Sequence, residues 1–126
     1  MLIDHIGIAI SDLNQSKQFY SKTLAPLNIE LIAEDQGWVG YGKGEAAAFW
    51  FGPDETIQSP MHIAFSAETR QQVDDFYEAA MAAGAKCNGK PGIRAMYHAD
   101  YYGAFVIDPD GHNIEAVCHT AEETKC

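Results

Sequence analysis

Three side chains stand where an acid–base or metal chemist would look first. Glu115 interrupts the apolar run A-F-V-I-D-P-D-G-H-N-I-E-A-V at 104–117, and His5 and His62 open two similar stretches, D-H-I-G-I-A-I-S-D at 4–12 and M-H-I-A-F-S-A-E-T at 61–69. Two imidazoles and one carboxylate on adjacent rigid strands, with positions left for water or substrate, form a donor set for a divalent transition metal. The alternative is that each histidine is an ordinary polar residue satisfied within the fold. Equivalence of the two histidines in a repeat, together with an awkwardly placed glutamate, favours the metal.

The elements around Glu115 follow from turn chemistry. Asp108-Pro109-Asp110-Gly111 is a reverse-turn signal, because proline presets one dihedral, aspartate bonds its own backbone and glycine accepts positive φ. The flanking runs, 102–107 and 112–119, therefore read as a hairpin. Alternation puts Asn113, Glu115, Val117 and His119 on one face and Ile114, Ala116 and Cys118 on the other. The simplest register sets Glu115 opposite Ala104, flanked by Tyr102 and Val106, and leaves His112 exposed beside the turn.

The histidines belong to an internal repeat. At the offset that aligns His5 with His62, Phe19-Tyr20 falls on Phe76-Tyr77 and Gln15 on Gln72. Each half opens with an alternating strand: Ile6, Ile8 and Ile10 oppose His5, Gly7 and Ala9, and Met61, Ile63 and Phe65 oppose His62, Ala64 and Ser66. A helix follows each, since Asp12 with Gln15 and Thr69 with Gln72 have capping-box spacing. Leu13, Tyr20 and Leu24 form one helical stripe, and Val73, Phe76, Tyr77 and Ala80 another. Further strands are expected near 29–34, 38–42 and 46–51, then near 86–88, 101–107 and 112–119. The reading is α+β: one domain over 1–126 made of two βαβββ modules, about 1–52 and 61–119, with a turn-rich linker at 53–60 and a tail at 120–126. Helices covering one face of each sheet leave His5, His62 and Glu115 on the other.

Bulk properties narrow the partners. At 126 residues and 47% apolar composition, the chain has one globular core. A net charge of -10 disfavours nucleic acid and anionic membrane surfaces. No window approaches the roughly 20 apolar residues of a membrane span, and the N-terminus lacks signal-peptide character, so a cytoplasmic location is expected. Cys87, Cys118 and Cys126 lack zinc spacing and read as inert thiols.

The residues around the metal set supply its second layer. The loop Y-H-A-D-Y-Y at 97–102 is rich in titratable and aromatic groups just before the strand that pairs with Glu115. His98 and Tyr102 are the candidate acid/base groups, and Tyr97 and Tyr101 the candidate substrate contacts, against a simpler role in packing the sheet edge. Phe49 and Trp50 offer a wall on which a flat ligand could stack, although core packing is the commoner fate of such residues.

The paired H-I-[GA]-x-[AS] strands, the F-Y helices and the terminal D-P-D-G-H-N-I-E resemble the vicinal oxygen chelate superfamily, which includes glyoxalase I, extradiol dioxygenases, fosfomycin-resistance thiol transferases and bleomycin-binding proteins. The resemblance implies paired βαβββ modules forming a cup-shaped sheet, with one divalent ion (Fe, Mn, Ni or Zn) held by His5, His62 and Glu115. It also implies a small-molecule substrate chelating through neighbouring oxygens, and a homodimer in which His5 of one copy can meet His62 and Glu115 of another. Lyase, isomerase or dioxygenase chemistry would follow, or non-catalytic binding of the bleomycin-resistance kind. One departure bears on the choice. The fourth carboxylate ligand of glyoxalase I has no counterpart in E-A-A-A-F-W-F-G at 45–52, where the position equivalent to Glu115 is expected near Ala48 or Phe49. Three ligands are closer to the dioxygenase and thiol-transferase branches, and a tail without arginine disfavours phosphonate binding.

Overall fold

The computed structural model describes residues 3–121, so residues 122–126 of the expected tail, Cys126 among them, lie outside the described residues. The first module runs β1 (Ile6–Ile10), α1 (Leu13–Leu24), a 3-10 turn (Ala25–Leu27), β2 (Glu30–Asp35), β3 (Trp38–Lys43) and β4 (Ala46–Pro53). The second repeats it as β5 (His62–Ser66), α2 (Arg70–Ala82), β6 (Lys86–Ile93), β7 (Tyr102–Ile107) and β8 (Asn113–Cys118). Each makes a four-stranded mixed sheet, in the orders β1-β4-β3-β2 and β5-β8-β7-β6. The first strand of each module pairs parallel to the last, and the remaining neighbours are antiparallel.

Both helix starts are fixed by the predicted caps. The Asp12 carboxylate accepts from Gln15 N at 3.0 Å and the Thr69 hydroxyl from Gln72 N at 3.1 Å, satisfying an amide that the helix itself leaves unpaired. Gln72 reaches back to accept from Glu68 N at 2.7 Å, one residue before the cap. The buried helix faces, with Phe19, Tyr20 and Leu24 on α1 and Val73, Phe76 and Ala80 on α2, close over one shared core with Ile8, Ile10, Ile114, Ala116 and Cys118. Aromatic edges join the modules, as where Phe49 meets Phe65 edge-on at 5.2 Å between ring centroids. The buried Tyr20 hydroxyl also donates to Asp108 in the β7–β8 turn.

Three expectations are corrected. Glu115 pairs with Phe105, not Ala104, because the loop spans five residues, 108–112, with Ile107 opposite Asn113. Ala104 and Val106 consequently face the core. His112 is fully buried instead of exposed: Asp108 accepts from its backbone N at 2.8 Å, and its Nδ1 accepts from Met61 N at 2.9 Å, so it clasps the entry of β5. Finally, the strand expected near 86–88 continues to Ile93 as an edge strand with two register shifts, a place where Pro91 is tolerated. Of the cysteines, Cys118 is buried and Cys87 exposed, both as free thiols. Among the described residues no helix is long and apolar enough to cross a membrane.

Candidate metal centre and aromatic cleft

Alternation along β8 turns Ile114, Ala116 and Cys118 into the core and leaves Glu115 on the helix-free face, where it is nevertheless completely covered. A buried carboxylate requires partners to offset its lost hydration. His62 Nε2 lies 2.7 Å from Oε1, and the Tyr101 hydroxyl donates to Oε2 in a short hydrogen bond. Space for this cluster comes from Gly103, where an added Cβ would lie 3.2 Å from both Glu115 Oε2 and the Tyr101 ring. Burial, and then the hydrogen bond to Glu115, push the Tyr101 phenol well above its usual pKa, which keeps it a donor. The His62 side chain remains 55% exposed while that of Glu115 is 1% exposed, so the imidazole is the face of the pair that solvent or a ligand meets.

Around this pair the 97–102 loop folds back, closed by Arg94 N donating to Tyr101 O at 2.7 Å. Tyr101 is packed between Tyr97, with centroids 4.8 Å apart, and the rings of His98 and His119. His98 Nδ1 accepts from Asp100 N at 3.1 Å, so its proton is on Nε2, which faces His119 Nδ1 at 2.7 Å. The structure thus gathers His62, Glu115, Tyr97, His98 and Tyr101 at one place and adds His119. Tyr102 goes elsewhere. Its hydroxyl donates to Asp74 on α2 at 2.6 Å, on the helix-covered side of the sheet, because the one-residue change in register exchanges the roles expected of Tyr101 and Tyr102.

His5 lies on the other module. It precedes β1, is exposed, and shares a 2.7 Å contact with Asp4. Among the described residues no group of three or more His, Cys, Asp or Glu side chains is arranged to hold a metal ion, so one copy of the chain does not bring His5 to His62 and Glu115. His5 instead lines an open cleft of about 640 Å³ with Gly7, Asp35, Gln36, Trp38 and Trp50. Phe49, expected as a ligand wall, is 3% exposed and packs in the core against Tyr20, since it is Trp50 that alternation turns outward. Gly7 pairs with Trp50 as Ala64 pairs with Glu115. The position equivalent to Glu115 is therefore Trp50, not Ala48 or Phe49, and an indole replaces the fourth carboxylate.

As a donor set, the imidazole nitrogen His62 Nε2 and the carboxylate oxygen Glu115 Oε1, 2.7 Å apart, suit a borderline transition metal. The residues fit two ligands of a metal site, with a third required from elsewhere.

Two βαβββ modules, a helix on one face of each sheet and a His–Glu pair on the other define a glyoxalase-type protein. Residues 2–116 match the model of the Glyoxalase/Bleomycin resistance protein/Dioxygenase superfamily, and the chain belongs to that superfamily. A glyoxalase/bleomycin resistance protein from Albidiferax ferrireducens T118 is similar at 27% identity and a TM-score of 0.83, over 94% of this chain and 99% of that one. A glyoxalase/bleomycin resistance protein/dioxygenase family enzyme from Burkholderia phytofirmans PsJN has 20% identity and a TM-score of 0.72, over 93% and 98%. Oxidase ChaP-H2, at 19% identity and a TM-score of 0.69 over 96% and 95%, shares the fold. No curated protein matches the chain.

Proposed function

We propose that the protein is a cytoplasmic, homodimeric, metal-dependent enzyme of the glyoxalase/dioxygenase type, acting on a small metabolite that offers two neighbouring oxygens. The observation that carries this reading is the Glu115 carboxylate, buried on the helix-free face with one oxygen toward His62 Nε2 and the other held by Tyr101. A carboxylate serving only the fold has little reason to be covered on the sheet face that lacks a helix. His62 and Glu115 of one copy, with His5 of a second, would hold Fe, Mn, Ni or Zn. When bound, the metal supplies Lewis-acid polarisation of substrate oxygens.

The chain's own residues have separable tasks. Tyr101 fixes the carboxylate by engaging Oε2, leaving Oε1 directed at His62. The exposed His98–His119 pair, joined by a 2.7 Å contact and packed against the Tyr101 ring, supplies the acid/base side chains nearest the His62–Glu115 cluster. Trp50, where a fourth ligand would be, disfavours lactoylglutathione-lyase chemistry and favours a three-ligand branch. Calorimetric titration of metal-free protein with Mn(II) and Zn(II) tests the reading. Glu115→Ala and His62→Ala should each weaken binding by more than the roughly 10–100-fold typical of losing an outer partner. Stoichiometric, undiminished binding by folded Glu115→Ala would contradict it.

One observation favours a second reading, a bleomycin-resistance-like binding protein: the cleft beside Trp38 and Trp50 is large enough for a small organic molecule without any metal. Ligand affinity indifferent to both EDTA and Glu115→Ala would select it.

A further inference from the structure

The two tryptophans of the chain are Trp38 and Trp50, and each heads the same three-residue pattern, W-V-G at 38–40 and W-F-G at 50–52. Antiparallel pairing of β3 with β4 makes the patterns reciprocal. Gly40 stands opposite Trp50, and one step beyond the Val39–Phe51 pair the same register sets Trp38 beside Gly52. The fit is close in both cases. A Cβ on Gly40 would lie 2.8 and 2.9 Å from the ring-fusion carbons of Trp50, and one on Gly52 would overlap three central carbons of Trp38. Similar distances to several central ring atoms mean that the glycine backbone is under the face of each indole, not at its edge. Trp50 is further tied down by its Nε1 donating to Ala47 O at 3.3 Å.

Two large apolar rings therefore lie flat on the helix-free side of the first sheet, each only partly buried. Their inner faces are matched to glycines and their outer faces open to the cleft. The polar groups there are His5, Asp35 and Gln36, with no lysine or arginine in the lining. No side chain in that set carries the fixed positive charge of a lysine or arginine, and the Asp35 carboxylate disfavours an anion.

We infer that the Trp38–Trp50 floor is a stacking subsite for a planar ring that carries no negative charge, beside His5. The inference rests on the proposed function only in taking this cleft as part of the ligand cup; stacking itself needs no metal. It deepens that reading by making the metabolite an aromatic or heteroaromatic compound, with its ring against the indoles and its oxygens toward the histidine.

The test is tryptophan fluorescence in EDTA, which reports on these two rings alone, with catechol kept under argon as the planar probe. Cis-1,2-cyclohexanediol is the non-planar control and benzoate the anionic one. Saturable quenching by catechol, at least about tenfold tighter than the diol and than benzoate, is expected for ring stacking. Gly52→Ala should lift the Trp38 ring and weaken catechol about tenfold while the protein keeps its circular dichroism; if that variant does not fold, Trp50→Leu should do the same. Equal affinity for catechol and the diol, equal affinity for benzoate, no saturable quenching, or unchanged catechol binding in the folded variant would overturn the inference. Because metal is absent, stacking that survives alongside failed metal titrations would remove the enzyme reading and keep this one. Normal metal binding without stacking would do the reverse.

Discussion

Tyr101 shows how much a single side chain decides. Its hydroxyl satisfies the buried Oε2 of Glu115, so Tyr101→Phe leaves that oxygen without its donor, and metal-free protein should lose about 1–3 kcal/mol in urea unfolding at neutral pH. The same bond has an alkaline signature. Burial and Asp108 raise the Tyr20 phenol, and burial and Glu115 raise that of Tyr101, so both keep their protons in the fold after the unfolded chain has released them near pH 10. Stability from these groups is fully present below about pH 10 and is lost as pH rises toward the folded pKa values. For Tyr20 the slope is about 1.4 kcal/mol per pH unit. Tyr20→Phe and Tyr101→Phe should each flatten the decline measured by denaturation at increasing pH; an unchanged slope in both would refute the assignment. The pairing of His62 with Glu115 was legible in the sequence, because the repeat and strand alternation both point to it. Tyr101 in place of Tyr102 was not, because it depends on a five-residue loop in which His112 turns inward, and turn residues alone do not distinguish that loop from a four-residue one.

At the scale of elements, the capped helices organise both sheets. Asp12 and Thr69 each hold an otherwise unpaired amide at a helix start, and replacing either with alanine should cost about 1 kcal/mol in denaturant unfolding. No measurable change for either variant would mean that water replaces the cap without loss. Because both helices close over one core, unfolding should remain a single transition in these variants. These caps, the helical stripes and most strands could be read from local pattern alone. The extent of β6 could not, since Gly89, Pro91 and Gly92 spell a turn locally and are held as an edge strand only by pairing with β7. The Trp–Gly reciprocity had a visible trace in the repeated W-x-G, yet its meaning depends on the β3–β4 register, which alternation within one strand does not supply.

The whole molecule divides its candidate ligands between two sheets. His62 and Glu115 belong to the second module, His5 to the first, and within one copy the three do not converge. The proposed homodimer, joining the first module of one copy to the second module of another, would resolve this division and would set the indole floor beside the metal. Fold and family were legible because duplication writes the same βαβββ pattern twice. The most direct test mixes two defective proteins. His5→Ala and Glu115→Ala homodimers, each unable to bind metal tightly, are combined, unfolded and refolded together, and tight Zn(II) sites are counted by competition with a chromophoric chelator. A shared site predicts that mixed dimers regain one intact site, so random pairing restores about a quarter of the wild-type total. Recovery of no tight sites, in a mixture shown to contain mixed dimers, would contradict a metal centre built across two copies.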